Sequence, residues 1–159
     1  MKKWPVKLLI AGGLVTTALN VWVLGFRSTH IDKELVITQS RRPVKVTRVY
    51  TGPDGQSHAE EIVVKMLPGA DATESSEQMN VSGMRIRRTP PNYVFKGTAP
   101  RRMYVITLSG RAEIELADGK KVPIDRDHIV LLEDLTGKGR VLRGVGSEDR
   151  ISIQLPVQE

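Results

Sequence analysis

An all-β head, built as a sandwich or barrel and preceded by one transmembrane α-helix, is the fold class the 159-residue sequence predicts. Three observations predict it. Strand-like runs separated by tight turns fill the stretch from Ala99 to Val122. The rest of the head is a series of short apolar runs broken by Gly and Pro, with no long helical period and no internal repeat. Nineteen uncharged residues run from Leu8 to Phe26.

The stretch APRRMYVITLSGRAEIELADGKKV carries two turn signals, Ser109-Gly110 and Asp118-Gly119. Asp-Gly favours a type I′ hairpin turn, which needs positive φ at both central residues. Between the turns, Ala112, Ile114 and Leu116 alternate with Arg111, Glu113 and Glu115, the period of a strand with one buried face. In the preceding run, Tyr104, Ile106 and Leu108 share one face, and Met103, Val105 and Thr107 the other. The stretch therefore reads as a three-strand antiparallel meander, with Ile106 and Ile114 in the core on neighbouring strands.

In chain order, the head opens with strands over 44–50 and 60–67, separated by the turn Thr51-Gly52-Pro53-Asp54-Gly55. Residues 68–82 read as a mobile polar loop. A strand over 83–88 is expected to turn Met84 and Ile86 inward and Arg85 and Arg87 outward. A short run over 92–96 follows the turn Thr89-Pro90-Pro91. Beyond the meander come runs over 129–133, 140–145 and 150–155, the last with Ile151, Ile153 and Leu155 inward.

Aromatic residues make up only 4% of the chain, so the core is aliphatic. With no Cys, disulfides, thiol nucleophiles and thiolate metal sites are excluded. The net charge of +6 is concentrated at one end. Residues 1–45 hold 8 basic and 2 acidic residues, and the remainder 16 of each, so the head is neutral and offers no electrostatic case for nucleic acid. Nineteen helical residues span roughly 28 Å, close to the hydrocarbon thickness of a bilayer. Trp22 suits an interface and Gly12, Gly13 and Ala18 allow close helix packing. The organisation expected is a cytoplasmic tail at 1–7, an uncleaved single-pass anchor at 8–26, a basic tether at 27–45 and a globular domain at 46–157. Lys2, Lys3 and Lys7 place the tail in the cytoplasm and the head outside, in the periplasm of a cell with an inner membrane.

The head resembles a small single-domain cupin. The residues that carry the likeness are YTGPDGQSH (50–58), RRTPPNYVF (87–95), APRRMYVITLSGRAEIELADG (99–119) and LLEDLTGKGR (131–140). The resemblance implies a cupin-like jelly roll, or double-stranded β-helix, over 46–157. It also implies a metal bound by His and Glu or Gln inside the barrel, and here the chain departs from the family. The expected ligand positions are taken by Gly97 or Thr98, by Met103 and by Arg140, and the usual Pro-Gly-Asp turn by Arg126-Asp127-His128. A guanidinium cannot ligate a metal. No cofactor is therefore expected.

The candidate binding residues are Arg101, Arg102, Tyr104 and Arg140. Guanidinium forks bind carboxylates bidentately, but Glu133 or Asp134 is an equally good partner for one of the Arg101-Arg102 pair. Arg140 either holds an anionic ligand with Tyr104 in an apolar pocket or pairs across the sheet with a carboxylate such as Glu113. His30 falls in the tether. His128 is read as a turn residue, and His58-x-Glu60 is the one spacing that could carry two metal ligands on a strand face. No catalytic residue is assigned. Three functions follow. The first is a non-enzymatic accessory or scaffold subunit of a larger membrane assembly, respiratory or photosynthetic, whose partners are the bilayer and other membrane subunits. The second is an extracytoplasmic binding protein for a small anion. The third is a metal-dependent dioxygenase or isomerase with atypical ligands.

Overall fold

The computed structural model describes residues 41–158. The tail at 1–7, the anchor at 8–26, His30 and the tether up to residue 40 lie outside them. The described residues contain twelve strands and no helix, and therefore no helix long and apolar enough to cross a membrane.

The strands are β1 (Lys45–Thr51), β2 (Ser57–Val63), β3 (Leu67–Pro68), β4 (Glu74–Ser75), β5 (Arg85–Thr89) and β6 (Val94–Gly97). Then follow β7 (Met103–Ser109), β8 (Arg111–Glu115), β9 (Lys121–Ile124), β10 (Ile129–Glu133), β11 (Arg140–Val145) and β12 (Arg150–Pro156). They form a six-stranded sheet in the order β2-β1-β10-β7-β12-β5 and a four-stranded sheet in the order β6-β11-β8-β9. The eight strands from β5 onward thus divide four and four, each sheet alternating early and late strands. That is the double Greek key of a jelly roll. At the β10 edge of this eight-stranded unit, β1 adds in parallel to β10, and β2 pairs antiparallel with β1.

Two expectations about connections are corrected. The stretch 99–122 is not a meander within one sheet, because β7 belongs to the larger sheet while β8 and β9 pair in the smaller one. Gly110 makes the crossing at φ +70°, where a Cβ would lie 2.5 Å from the Asp149 carbonyl oxygen. The Asp118-Gly119 turn does close a hairpin, β8 to β9, but not as type I′. Only Gly119 has positive φ, +82°, and its N–H donates to the Leu116 carbonyl at 3.0 Å. This is a type I turn followed by a left-handed glycine. Within 68–82, expected as loop, the chain forms a small hairpin in which β3, begun by Leu67, pairs with β4 and Gly69 N–H donates to the Thr73 carbonyl.

The core lies between the sheets. Val49, Met103, Val105, Val130 and Leu132 enter it from the larger sheet, and Ala112, Ile114, Leu116, Val122 and Ile124 from the smaller or its hairpin. The β8 alternation is as expected. On β7, β12 and β5 the alternation is real but its polarity is reversed. Ile106 shares the outer face with Tyr104 and Leu108, and Met103, Val105 and Thr107 point inward. On β12, Arg150 and Ser152 are buried, and Ile151 and Ile153 are only half-buried. Ile86 is 63% exposed. Register aligns these outward residues in one row across four adjacent strands, Ile86–Ile153–Ile106–Ile129. The larger sheet is thus apolar on much of its outer face as well as its inner one. Antiparallel sheets more often keep one face polar.

Candidate anion-binding cavity

The inner face of the larger sheet changes character from one side to the other. Toward β10 and β1 it is aliphatic, with Met103, Val105, Val130, Leu132 and Val49. Toward β12 and β5 it is polar. Register pairs Arg150 with Thr89, Ser152 with Arg87 and Gln154 with Arg85. The barrel therefore encloses a cavity of about 600 Å³ with one aliphatic wall and one cationic wall. Arg85, Arg87, Arg101, Arg140 and Arg150 line it, and among the described residues no Asp, Glu, Lys or His does.

The five guanidiniums differ in what balances them. Arg140 is buried, and its Nη1 donates to Oδ1 and Oδ2 of Asp134 at 2.6 and 2.5 Å. Asp134 is fully buried and also accepts from Ser57 Oγ at 3.1 Å. The Arg140 Nε has no partner among the described residues. Arg150 is 5% exposed, and no carboxylate among the described residues pairs with it. Its Nε and Nη2 both donate to Thr107 Oγ1, at 3.1 and 2.7 Å. Burial first, and then the repulsion of nearby Arg87, push its pKa down to about 10, so it stays cationic at neutral pH. Arg87 donates from Nη2 to the Tyr93 hydroxyl at 2.8 Å and lies over that ring at 5.2 Å, joining the β5 edge to the chain entering β6.

The sequence candidates separate cleanly. Arg140 and Arg101 line the cavity. The Arg140 partner is Asp134 rather than Glu113, which pairs with Lys121 at 2.9 Å on the β8–β9 hairpin. Tyr104 and Arg102 do not line it. Tyr104 points outward on β7, where burial raises its pKa. Arg102 donates to Glu133 at 2.5 Å, and Arg48 binds the other oxygen of the same carboxylate at 2.5 Å. Arg150, Arg85 and Arg87 were missed as candidates. The missed signal was Arg150 in register with Ser152 and Gln154, a polar alternation as regular as the isoleucines opposite it.

Glu133 gives a pH prediction. Burial alone would raise its pKa, but the hydrogen bonds from Arg48 and Arg102 outweigh it and hold the carboxyl below the ordinary value. A carboxyl with a depressed native pKa contributes stability that is present above the unfolded-state pKa and lost as pH falls through the native one. Urea midpoints should therefore fall as the pH drops below about 4.5, the ordinary carboxylate value. Glu133→Gln should show a shallower acid slope. Identical slopes would mean that the two arginines do not hold the carboxylate in solution.

The positions where a cupin would bind metal do converge on the cavity, since Thr98, Met103 and Arg140 all line it. Their chemistry does not fit a metal, because Arg140 is a cation already committed to Asp134. Among the described residues, no three of His, Asp and Glu gather as a ligand set. His58 Nε2 bonds Asp54 at 3.0 Å, and Glu60 pairs with Arg48, so the His-x-Glu spacing is spent on separate ion pairs. His128 Nε2 bonds Thr47 Oγ1 at 2.8 Å.

No family model matches the chain, and no curated protein matches it. Solved structures similar to it include the following two. One is a putative ethanolamine utilization protein Q from Salmonella typhimurium LT2, with 14% identity and a TM-score of 0.37 over 73% of this chain and 98% of that one. The other is the Cnp3 cupin domain of Schizosaccharomyces pombe, with 11% identity and a TM-score of 0.38 over 74% of this chain and 86% of that one. A cupin domain is thus among the structures this chain is similar to. At these TM-scores nothing about activity or ligand passes from either structure to this chain.

Proposed function

We propose that the jelly-roll head binds a small organic anion inside its barrel, without catalysing a reaction on it, and that residues 8–26 hold it at the cell membrane with the head outside. The observation that carries the binding reading is Arg150, a buried guanidinium that no carboxylate among the described residues pairs with, on the wall of a cavity whose described lining holds no acid. Buried charges are normally paired, because desolvating them alone is costly. A cavity near 600 Å³ with an aliphatic wall and a few convergent polar groups is the usual form of a ligand site. The lining offers guanidinium donors, hydroxyls and a thioether, but no carboxylate or imidazole to relay a proton. The length of the uncharged run at 8–26 and the basic residues before it support the membrane placement.

The test is thermal melting of the full chain in mild detergent with a panel of organic and inorganic anions. A ligand that binds only the folded state raises the midpoint. At least one anion should shift the wild type, and Arg150→Met should abolish the shift. Burying a charge without a counter-charge is costly, and Arg150→Met removes that cost, so the variant without ligand should melt no lower than the wild type. No shift with any anion would refute the reading.

One observation favours the accessory-subunit reading beside it, the outward isoleucine row of the larger sheet. Exposed apolar patches mark interaction sites, and here Ile86 is exposed while Ile153, Ile106 and Ile129 are half-buried. If that face seats a membrane-protein subunit, the chain should co-purify with a stoichiometric partner in mild detergent. Ile86→Asp, at an exposed position, should release the partner without unfolding the head. Retention of the partner by the variant would remove this reading.

A further inference from the structure

Resting on the anion-binding reading, we infer that the head group the cavity takes is a dianion, a phosphate monoester carrying a small apolar body, held between Arg150 and Arg87. Three observations lead there. The first is charge. Arg140 is neutralised by Asp134, whereas buried Arg150 has no carboxylate partner among the described residues, and Arg87, exposed to solvent on β5, reaches the same space with the neutral Tyr93 hydroxyl as its described partner. A monoanion can satisfy the buried Arg150, and a second negative charge lets the same group also engage Arg87 at the open side.

The second is spacing. Arg150 and Arg87 sit on adjacent paired strands, one rung apart, since Arg87 is opposite Ser152. Two residues along a strand is roughly 7 Å, a gap within reach of two long guanidinium side chains, which in this structure bond Thr107 and Tyr93. The two are near enough for Arg87 to repel Arg150. One compact tetrahedral group can meet both forks, and guanidinium matches phosphate geometry bidentately. The third is the opposite wall. Met103, Val105, Leu132, Leu142 and Phe95 receive an apolar body of about ring size. A cavity of about 600 Å³ has the size for a small soluble ester.

The pH response belongs to the ligand. Arg150 bonds Thr107 from β7, and the other titratable or charged groups lining the cavity are Arg87 and Arg85 from β5, Arg140 from β11 (paired with Asp134), Arg101 and Tyr93. Among the described residues the lining holds no histidine, and Glu133 faces outward to Arg48 and Arg102. A phosphate monoester loses its second proton near pH 6, whereas a carboxylate is already ionised well below that.

The experiment is calorimetric titration of the full chain in mild detergent with phenyl phosphate and with benzoate, at pH 7.5 and pH 5. Phenyl phosphate should bind about tenfold or more tightly than benzoate at the higher pH. It should weaken by about tenfold at the lower pH, where roughly a tenth remains dianionic, while benzoate changes little. Arg87→Met should bring phenyl phosphate to the benzoate level, and Arg150→Met should abolish binding of both. Equal affinities, or a phosphate affinity indifferent to pH, would overturn the dianion while leaving an anion site. Binding of neither probe by the wild type, with no melting shift from any other anion, would overturn both.

Discussion

Asp134→Ala should be among the most damaging substitutions in the head. The carboxylate is fully buried, and removing it strands the Arg140 guanidinium, itself 5% exposed in its side chain, without a counter-charge. Ser57 Oγ loses its acceptor at the same time. Breaking a buried pair from one side typically costs about 3–5 kcal/mol, a large share of the ~5–15 kcal/mol that stabilises a domain of this size. Urea unfolding of the full chain should show it as a lower midpoint. Removing both charges with Asp134→Leu and Arg140→Met should recover most of the loss, because the desolvation cost leaves with the pair. Where Asp134→Ala still folds, it should gain more stability from a bound anion than the wild type does, since Arg140 is then a second unbalanced cation on the cavity wall. A loss below about 1 kcal/mol, the level of a surface pair, would mean that water reaches Asp134.

The second large effect is Ile114→Ala. Ile114 is 2% exposed on β8, in the middle of the aliphatic core, and also borders the cavity. Truncating a buried Ile typically costs about 2–5 kcal/mol, the spread reflecting the void left behind. Here the void opens into existing space that water can enter, so the loss should fall in the lower half of that range. Ile106→Ala is the contrast. Its side chain is on the outer face of the larger sheet, and its truncation should cost about 1 kcal/mol, the centre of ordinary substitutions. If the two truncations cost the same in urea unfolding, the outward assignment of the β7 isoleucine is wrong.

That contrast shows what the sequence made legible. Strand positions followed from period two and from Gly and Pro punctuation, and β10 and β11 fall where their apolar runs lie. The jelly roll was legible too, through the likeness carried by residues 99–119 and 131–140. The polarity of β5, β7 and β12 was not. Alternation says that two faces differ, and the usual rule sends the apolar face inward. Here the interior on the β5 side is a cationic cavity, so the rule inverts and Ile86, Ile106 and Ile153 turn outward while Arg87, Thr107 and Ser152 turn in. The same inversion hid Arg150 from the candidate site. Arg140 was legible as a cavity residue, but its partner was not. Asp134 lies only six residues away across the Gly137-Lys138-Gly139 turn, where its side chain read as turn chemistry. The anchor, the tether and the lysines before it rest on composition alone, since residues 1–40 are outside the described structure.

The central claim is that Arg150 waits unpaired in the barrel for an anion. Its Nε–H is bonded to Thr107 and buried, so it should exchange slowly and give its own resonance in nitrogen–proton spectra of the full chain labelled at arginine. That resonance is assigned by its loss in Arg150→Met. Titration with phenyl phosphate should move it saturably, with Arg87 following, while Arg48 and Arg102, held on the outer face by Glu133, stay in place. A titration that leaves Arg150 unmoved, or that shifts the outer arginines alike without saturating, would contradict the account.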